Sequence, residues 1–276
     1  GVMNVPTCKT VADLLKEYVS LYGTTTWSLS VYSSNTRLIR NYINPVIGKM
    51  NLCEISPRIL EKYYQKLLQT PAVSRITQKR GTKDTGFIQP ATVRKVHSLL
   101  RSAFNQAVKW ELMEKNPALH ATVPKAVPQK REVWDAETIF LALDVCDDAR
   151  LKLAINLSFA CSMRIGEILG LTWDCVDFSP KSIADGTASI IITKELQRVD
   201  KTAMKSLEQK DVLFIFPQSS KRNTSMLVLK KPKTESSVRK VFIPATVAHQ
   251  LEAWKREQER TKEALGDEYT DYNLVL

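Results

Sequence analysis

The sequence is poor in the residues that hold metals or form crosslinks. It has five cysteines and three histidines in 276 residues, and no two cysteines form a CxxC pair. A zinc site is therefore not expected. An odd and scattered set of cysteines is typical of reduced, mostly buried thiols in a cytosolic protein. The set comprises Cys8, Cys53, Cys146, Cys161 and Cys175.

Long apolar runs are also missing. No stretch reaches the ~18 apolar residues that a membrane-spanning helix needs. Residues 1–11 have neither the basic end nor the apolar core of a signal peptide. Glycine and proline are few, at 9 and 12, whereas hydrophobic residues make up 43%. We therefore expect a folded chain with a core, of one large domain or two ordinary ones.

Positive charge is abundant and unevenly placed. The chain has 40 Lys and Arg against 29 Asp and Glu, a net charge of +11. Residues 57–132 hold 15 of the basic residues and only 5 of the acidic ones. A concentrated basic segment favours a phosphate-binding face. The alternative is a solvated surface or a flexible arm, and charge alone leaves both open.

The first part of the chain has the apolar spacing of helices. Thr10 and Ser56 are predicted N-caps, Pro45 is predicted to end the second helix, and Asn116 with Pro117 is predicted to end the fourth. The helices are predicted at residues 10–21, 30–43, 56–68 and 90–115. Periodicity disappears over residues 71–89, which predicts a loop or flexible hairpin.

The second part of the chain alternates helical and strand-like patterns. It follows a Pro- and Lys-rich stretch without periodicity, residues 119–133, which predicts an extended linker. Helices are predicted at residues 135–145, 149–161, 164–171 and 245–265. Short strands are predicted at residues 188–193, 212–216, 226–229 and 237–243.

An arginine begins an apolar helical stretch in the segment CSMRIGEILGLTWD. Burying a guanidinium is costly unless an anion meets it. Glu167 lies three residues after Arg164, on the same helical face, and can orient it. The alternative interpretation is a structural Arg–Glu pair at a helix start, which spacing alone favours.

A lysine, Lys233, lies in a polar turn between two predicted strands, in the segment KKPKTESSVRKVFIP. A lysine at such a turn can reach a phosphate or a leaving oxygen. The alternative is an ordinary solvated lysine.

Together these two motifs resemble those of tyrosine recombinases, in particular the integrases of phages and conjugative transposons. MRIGEILGLTWDCVDF is similar to the box of their first arginine, and KPKTESSVRKVFIP to their catalytic-lysine hairpin. ATVRKVHSLLRSAFNQAVKWELMEKNP is similar to the last long helix of their core-binding domain, and TRLIRNYINPVIGKMNL to the end of its second helix. The resemblance covers nearly the whole chain from residue 10 onward.

The resemblance implies a fold and a chemistry. The fold is an α-helical, SAM-like core-binding domain (residues 1–118), a linker (119–133) and the N-terminal part of a mixed α+β catalytic domain (134–276). Arg164 would contact the scissile phosphate, Glu167 would support Arg164, and Lys233 would protonate the leaving 5′ oxygen. A tyrosine would attack the phosphate to give a 3′-phosphotyrosine. No metal or other cofactor is expected.

The sequence departs from the family pattern near its end. The family has a later His-x-x-Arg box, and none of the three histidines here has an arginine three residues later. Tyr269 and Tyr272 precede the place of that box and are interpreted as surface or packing aromatics. We expect that the chain stops before the nucleophilic tyrosine, so that these 276 residues bind DNA but do not cut it.

The basic helical domain suits a DNA surface. Expected contacts from its helices are Asn35, Arg40, Thr92, Arg94, Lys95 and Arg101. Expected phosphate contacts from the loop and the linker are Lys79, Arg80, Lys83, Lys125, Lys130 and Arg131.

The expected partners are double-stranded DNA at element ends and target site, other integrase protomers on DNA, and an accessory directionality factor, with no membrane. The expected location is the bacterial cytoplasm, at the nucleoid. The alternatives are a DNA-binding regulator without catalysis on the same scaffold and an RNA-binding helical protein.

Overall fold

The computed structural model describes residues 10–73, 86–126, 132–218, 220 and 222–276. The chain divides into two compact units, one of Gly1–Lys130 with Lys205–Glu208, and one of Arg131–Met204 with Gln209–Leu276. The domain limits predicted from the sequence stay a prediction. No helix among the described residues is long and apolar enough to cross a membrane.

The described part of the first unit is helical. Its helices are α1 (residues 11–26), α2 (residues 29–47), α3 (Pro57–Leu68) and α4 (Pro90–Lys109), with short 3-10 turns at Leu52–Glu54 and Pro117–Leu119. Both α1 and α2 contain a π-helical segment, Tyr18–Gly23 and Ile39–Ile43. The apolar faces meet in one core, whose largest fully buried side chains include Tyr18, Tyr64 and Phe104.

The predicted helix starts are confirmed. Thr10 forms a capping box with Asp13, in which the N–H of Asp13 donates to Thr10 Oγ1 at 3.2 Å and the N–H of Thr10 donates to Asp13 Oδ2 at 3.1 Å. The side chain of Ser56 accepts the N–H of Ile59 at 3.3 Å. These bonds satisfy donors that a helix start otherwise leaves free.

Three predicted helix ends in the first unit are wrong. Helix α1 runs to residue 26 rather than ending near residue 21. The second helix passes Pro45 and continues to Ile47. Pro45 lies in the first turn of the α-helical segment Asn44–Ile47, which follows the π-helical segment Ile39–Ile43. A proline in a first turn destabilises the helix little, because the N–H that it lacks has no partner within the turn. Helix α4 ends at Lys109 rather than near residue 115. Glu111 adopts a positive φ of 60°, and the N–H of Leu112 donates back to the carbonyl of Ala107 at 2.9 Å.

The second unit mixes helices and strands. Its helices are α5 (Ala136–Val145), α6 (Ala149–Phe159), α7 (Ile165–Leu169), α8 (Pro180–Ala184), α9 (Lys201–Ser206) and α10 (Ala245–Leu265). Its strands are β1 (Val176–Asp177), β2 (Ser189–Ile192), β3 (Glu195–Asp200), β4 (Val212–Ile215), β5 (Ser225–Lys230) and β6 (Arg239–Phe242). They form two antiparallel sheets, in the orders β1-β2-β6 and β3-β5-β4. Helices α6 and α10 pack with strand β2 in the core of this unit.

The predicted hairpin around Lys233 is not a hairpin. Strand β5 pairs with β3 and β4, whereas β6 pairs with β2. Ile192, the last residue of β2, pairs with Arg239 on β6, and Glu195, the first residue of β3, pairs with Lys230 on β5. Only residues 193–194 connect β2 to β3, whereas the longer segment 231–238 connects β5 to β6. The sequence pattern missed β3 because its residues, ELQRVD, are mostly polar. Because β3 was not predicted, the strands predicted at residues 226–229 and 237–243 were expected to pair with each other.

The cysteines differ from the expectation of mostly buried thiols. Of the four cysteines that the structure describes, Cys161 is buried, Cys146 and Cys175 are half-buried, and Cys53 is exposed. Cys53 lies in the 3-10 turn Leu52–Glu54, whose buried residue is Leu52. A short turn of this kind directs only one of its side chains into the core.

Candidate active site

Arg164 and Glu167 lie at the start of helix α7. Arg164 is the N-cap, with extended backbone angles (φ −77°, ψ 153°), and its N–H donates to Glu167 Oε2 at 3.0 Å. Its guanidinium donates through Nη1 to Glu167 Oε1 at 2.8 Å. The Glu167 side chain is only 3% exposed, whereas that of Arg164 is 71% exposed. A buried carboxylate therefore anchors a guanidinium that remains open to solvent.

A second arginine, Arg239, binds the same carboxylate. It lies on strand β6 and donates through Nη1 to Glu167 Oε1 at 3.0 Å and through Nη2 to Oε2 at 2.8 Å. This two-point geometry is the strong form of an Arg–carboxylate pair. No sequence signal indicates a role for Arg239, because a strand pattern does not reveal a partner 72 positions earlier.

The charge state of Glu167 follows from these contacts. Burial by itself raises the pKa of the carboxyl. The hydrogen bonds from Arg239 and Arg164, with the charge of Arg239, outweigh burial and lower the pKa to about 2. The same pairing raises the pKa of Arg239. The cluster is thus one carboxylate between two guanidiniums at any pH near neutral.

Two glycines let helix α7 lie directly on strand β3. A Cβ at Gly170 would lie 2.6 Å from the backbone nitrogen of Leu196, and one at Gly166 would lie 3.2 Å from the carbonyl oxygen of Leu196. Any larger side chain at Gly170 would clash with backbone atoms of β3, which cannot move away as a flexible side chain could. The two glycines of the motif G-E-I-L-G thereby set a short distance between β3 and the helix whose start carries Arg164 and Glu167.

Lys233 is exposed, within the segment 231–238. The segment is held where it begins, since Lys230 is buried and its Nζ lies 3.4 Å from Glu195 Oε1. Beside Lys233 it forms a turn, in which the N–H of Ser237 donates to the carbonyl of Thr234 at 3.0 Å. Lys233 is therefore open to a ligand, whereas Lys230 is occupied by the buried ion pair.

In the first unit, the structure brings three of the predicted DNA contacts into one groove between α2 and α4. Asn35 comes from α2, and Arg94 and Lys95 come from α4. Ser34 and Ser98 add hydroxyl groups to the same groove. The remaining lining residues are Tyr18, Trp27, Leu38, Leu99 and Ser102. Such a groove offers cationic and hydrogen-bonding groups to a nucleic acid.

The other predicted contacts lie outside the groove lining. Arg40 and Arg101 are exposed on α2 and α4, Thr92 is half-buried on α4, and Lys125 is exposed. Arg40 donates through Nε to Asn41 Oδ1 at 3.2 Å. The predicted contacts that lie outside the described residues are Lys79, Arg80, Lys83, Lys130 and Arg131.

The two tyrosines near the end of the sequence, Tyr269 and Tyr272, are predicted from the sequence to be surface or packing aromatics. Tyr272 packs against the rings of Phe214 and Phe216, with centroid distances of 5.7 and 5.1 Å. Tyr269 is half-buried. Among the described residues, no group of three or more His, Cys, Asp or Glu side chains could hold a metal ion.

Known proteins resemble this chain along most of its length. A family model described as "Phage integrase, N-terminal SAM-like domain" matches residues 10–68, and one described as "Phage integrase family" matches residues 133–264. A "Tyrosine recombinase XerC-like" protein of Caldanaerobacter subterraneus subsp. tengcongensis is 25% identical over 237 residues, which are 83% of this chain and 51% of that protein. The ICEBs1 integrase of Bacillus subtilis is 23% identical over 237 residues, 85% of this chain and 52% of that protein. The chain therefore spans about half the length of these relatives.

Solved structures confirm the predicted fold class. The Tn1549 transposon integrase in complex with transposon right end DNA has a TM-score of 0.65 at 16% identity, covering 91% of this chain and 66% of that one. The lambda integrase tetramer bound to a Holliday junction has a TM-score of 0.51 at 13% identity, covering 91% and 55%. The two family models together match well over half of the chain, and both describe phage integrases. The chain belongs to the phage integrase family of tyrosine recombinases.

Proposed function

We propose that this chain provides the DNA-binding part and part of the active site of a site-specific recombinase that integrates and excises a mobile element. The observation that carries the proposal is an exposed Arg164 anchored by a buried carboxylate, in a chain of the integrase family. Preorganised positive charge of this kind stabilises the pentavalent transition state of phosphoryl transfer.

The proposed reaction uses a tyrosine nucleophile together with Arg164, Glu167 and Lys233. A tyrosine hydroxyl loses its proton to solvent and attacks the scissile phosphate, a 3′-phosphotyrosine bond forms, and the bond from phosphorus to the 5′ oxygen breaks. Arg164 contacts the phosphate, Glu167 holds Arg164, and Lys233 gives its proton to the leaving 5′ oxygen. The sequence contains no His-x-x-Arg box. We therefore propose that the 276 residues alone bind the site without forming the covalent bond.

The first unit, with the linker that follows it, supplies the affinity in this proposal. The groove with Asn35, Arg94 and Lys95 faces the duplex, and the basic residues of the loop and the linker contact backbone phosphates. The partners are the element ends and the target site, further integrase protomers on DNA and an accessory directionality factor. The place of action is the bacterial nucleoid in the cytoplasm.

Phosphate contacts make a salt-dependence test direct. DNA affinity of the chain is expected to fall by orders of magnitude between low and moderate salt, as release of ~6 or more counterions requires. Arg94→Ala is expected to weaken binding and reduce the slope of log affinity against log salt by about 1. Lys109→Ala, at the far end of the same helix, is the matched control. A flat salt dependence in an anisotropy titration would contradict the proposal, and tighter binding to RNA would favour the RNA-binding alternative.

Covalent trapping separates the recombinase from a non-catalytic binder. A nicked suicide substrate, analysed on a denaturing gel, is expected to give a protein–DNA adduct with the protein that the gene encodes and none with residues 1–276. Arg164→Ala or Lys233→Ala in the gene-encoded protein is expected to slow adduct formation by orders of magnitude, because loss of such charge commonly costs ~3 kcal/mol. Lys231→Ala, an exposed neighbour, is the control. Binding without any adduct from the gene-encoded protein would support the regulator instead.

A further inference from the structure

Arg239 connects the turn that carries Arg164 with the segment that carries Lys233. Its Nη2 approaches the carbonyl oxygen of Ser162 at 3.5 Å, and its Nη1 approaches the carbonyl oxygen of Ser237 at 3.3 Å. Its two-point pair with Glu167 lies between these contacts. Resting on the proposed function, we propose that Arg239 is a positioning residue that aligns Arg164 and Lys233 for the same phosphate without contacting DNA itself.

The first part of this role is charge compensation. Glu167 has two carboxylate oxygens and is almost fully buried, so its charge needs a close counter-ion. Arg239 engages both oxygens, and the Arg164 guanidinium contacts the carboxylate through Nη1. Two cations against one anion leave a net positive charge. Because the Arg164 side chain is the more exposed of the two, at 71% against 30%, that charge is directed outward.

The second part of this role is geometric. Ser162 adopts a left-handed backbone, with φ 51°, two residues before Arg164. A residue in this conformation persists only where surrounding contacts hold it. Ser237 closes the turn that starts at Thr234, directly after Lys233. One planar guanidinium thus holds both backbone segments at a fixed spacing, which the flexible point charge of a lysine does less well.

A double-mutant cycle tests the proposal in the gene-encoded protein. Arg239→Met is expected to slow adduct formation about 100-fold while the Kd for the DNA site changes less than about threefold, because Arg239 does not touch DNA. Arg239→Lys is expected to recover part of the rate. Glu167→Gln combined with Arg239→Met is expected to be no slower than Arg239→Met alone, since the neutral side chain needs no counter-ion. Losses that multiply in the double variant, or a wild-type rate in Arg239→Met, would overturn the proposal.

A second readout does not depend on recombination. In residues 1–276, a carbon-13 NMR titration of Glu167 is expected to give a clearly higher pKa in Arg239→Met than in the wild type. Arg256→Met, which breaks an exposed pair with Glu252, is the matched control and is expected to leave the Glu167 titration unchanged. The double variant has no unpaired buried charge and serves as the folded reference by circular dichroism. An unchanged Glu167 pKa in Arg239→Met refutes the positioning role, whereas absence of any wild-type adduct refutes only the proposed function.

Discussion

Replacing Glu167 by Gln is expected to cost the second unit up to about 3 kcal/mol of stability at pH 7. The pKa of this carboxyl is about 2 in the folded protein against 4.5 in the unfolded chain. Each unit of difference corresponds to about 1.4 kcal/mol, so a shift of roughly 2.5 units gives about 3 kcal/mol. Glu167 is almost fully buried, but the Arg164 guanidinium is 71% exposed and screened by solvent, so about 3 kcal/mol is the upper end of the expected loss.

The same reasoning fixes the pH dependence. The folded pKa is depressed, so the contribution is complete above pH 4.5 and is lost as the pH falls through about 2. Wild type and Glu167→Gln should therefore differ fully at pH 7 and converge between pH 4.5 and 2. Urea unfolding followed by the methyl signals of Ile190 and Ile192, which are buried in the second unit, measures this difference without interference from the first unit.

A matched control distinguishes the buried pair from a surface pair. Glu257→Gln breaks an exposed contact of 3.5 Å with Arg260, and its effect is expected to stay below about 0.5 kcal/mol. A Glu167→Gln loss as small as that of the control at pH 7 would refute the reasoning. So would a loss that stays constant from pH 7 to pH 2.5.

Three further substitutions test the backbone around this cluster. Gly170→Ala is expected to cost about 1–3 kcal/mol, because the added Cβ would lie 2.6 Å from a backbone nitrogen of β3, while Gly166→Ala, at 3.2 Å, should cost less. Equal urea midpoints for the two variants would contradict this close approach. Ser162→Gly is expected to stabilise the second unit by about 1 kcal/mol, since it removes a side chain from a residue with φ 51°. A lower urea midpoint in that variant would show that the Ser162 side chain has a role of its own.

Local pattern was sufficient for much of this molecule. Cap residues and apolar spacing act within one or two turns, so the starts of α1 and α3 were predictable from Thr10 and Ser56. The Arg164–Glu167 pair was predictable from local spacing, although Arg164 is the N-cap of α7 and Glu167 its third residue, a capping box rather than two residues on one helix face. The family resemblance rests on such local segments, and the family models confirm it.

Tertiary structure alone decided which segments meet. Strand pairing is a long-range choice, and a short apolar run does not specify its partner; β5 therefore pairs with β3 and β4 rather than with β6. Arg239 reaches Glu167 only because β6 pairs with β2, and this pairing brings a strand residue against the start of α7. The sequence by itself determined many of the elements, though not β3, and the cation that is offered to a phosphate. The fold determined that Arg239 also pairs with the buried Glu167 carboxylate while the Arg164 guanidinium stays exposed. Glu167 and Arg239 meet only after the chain has packed.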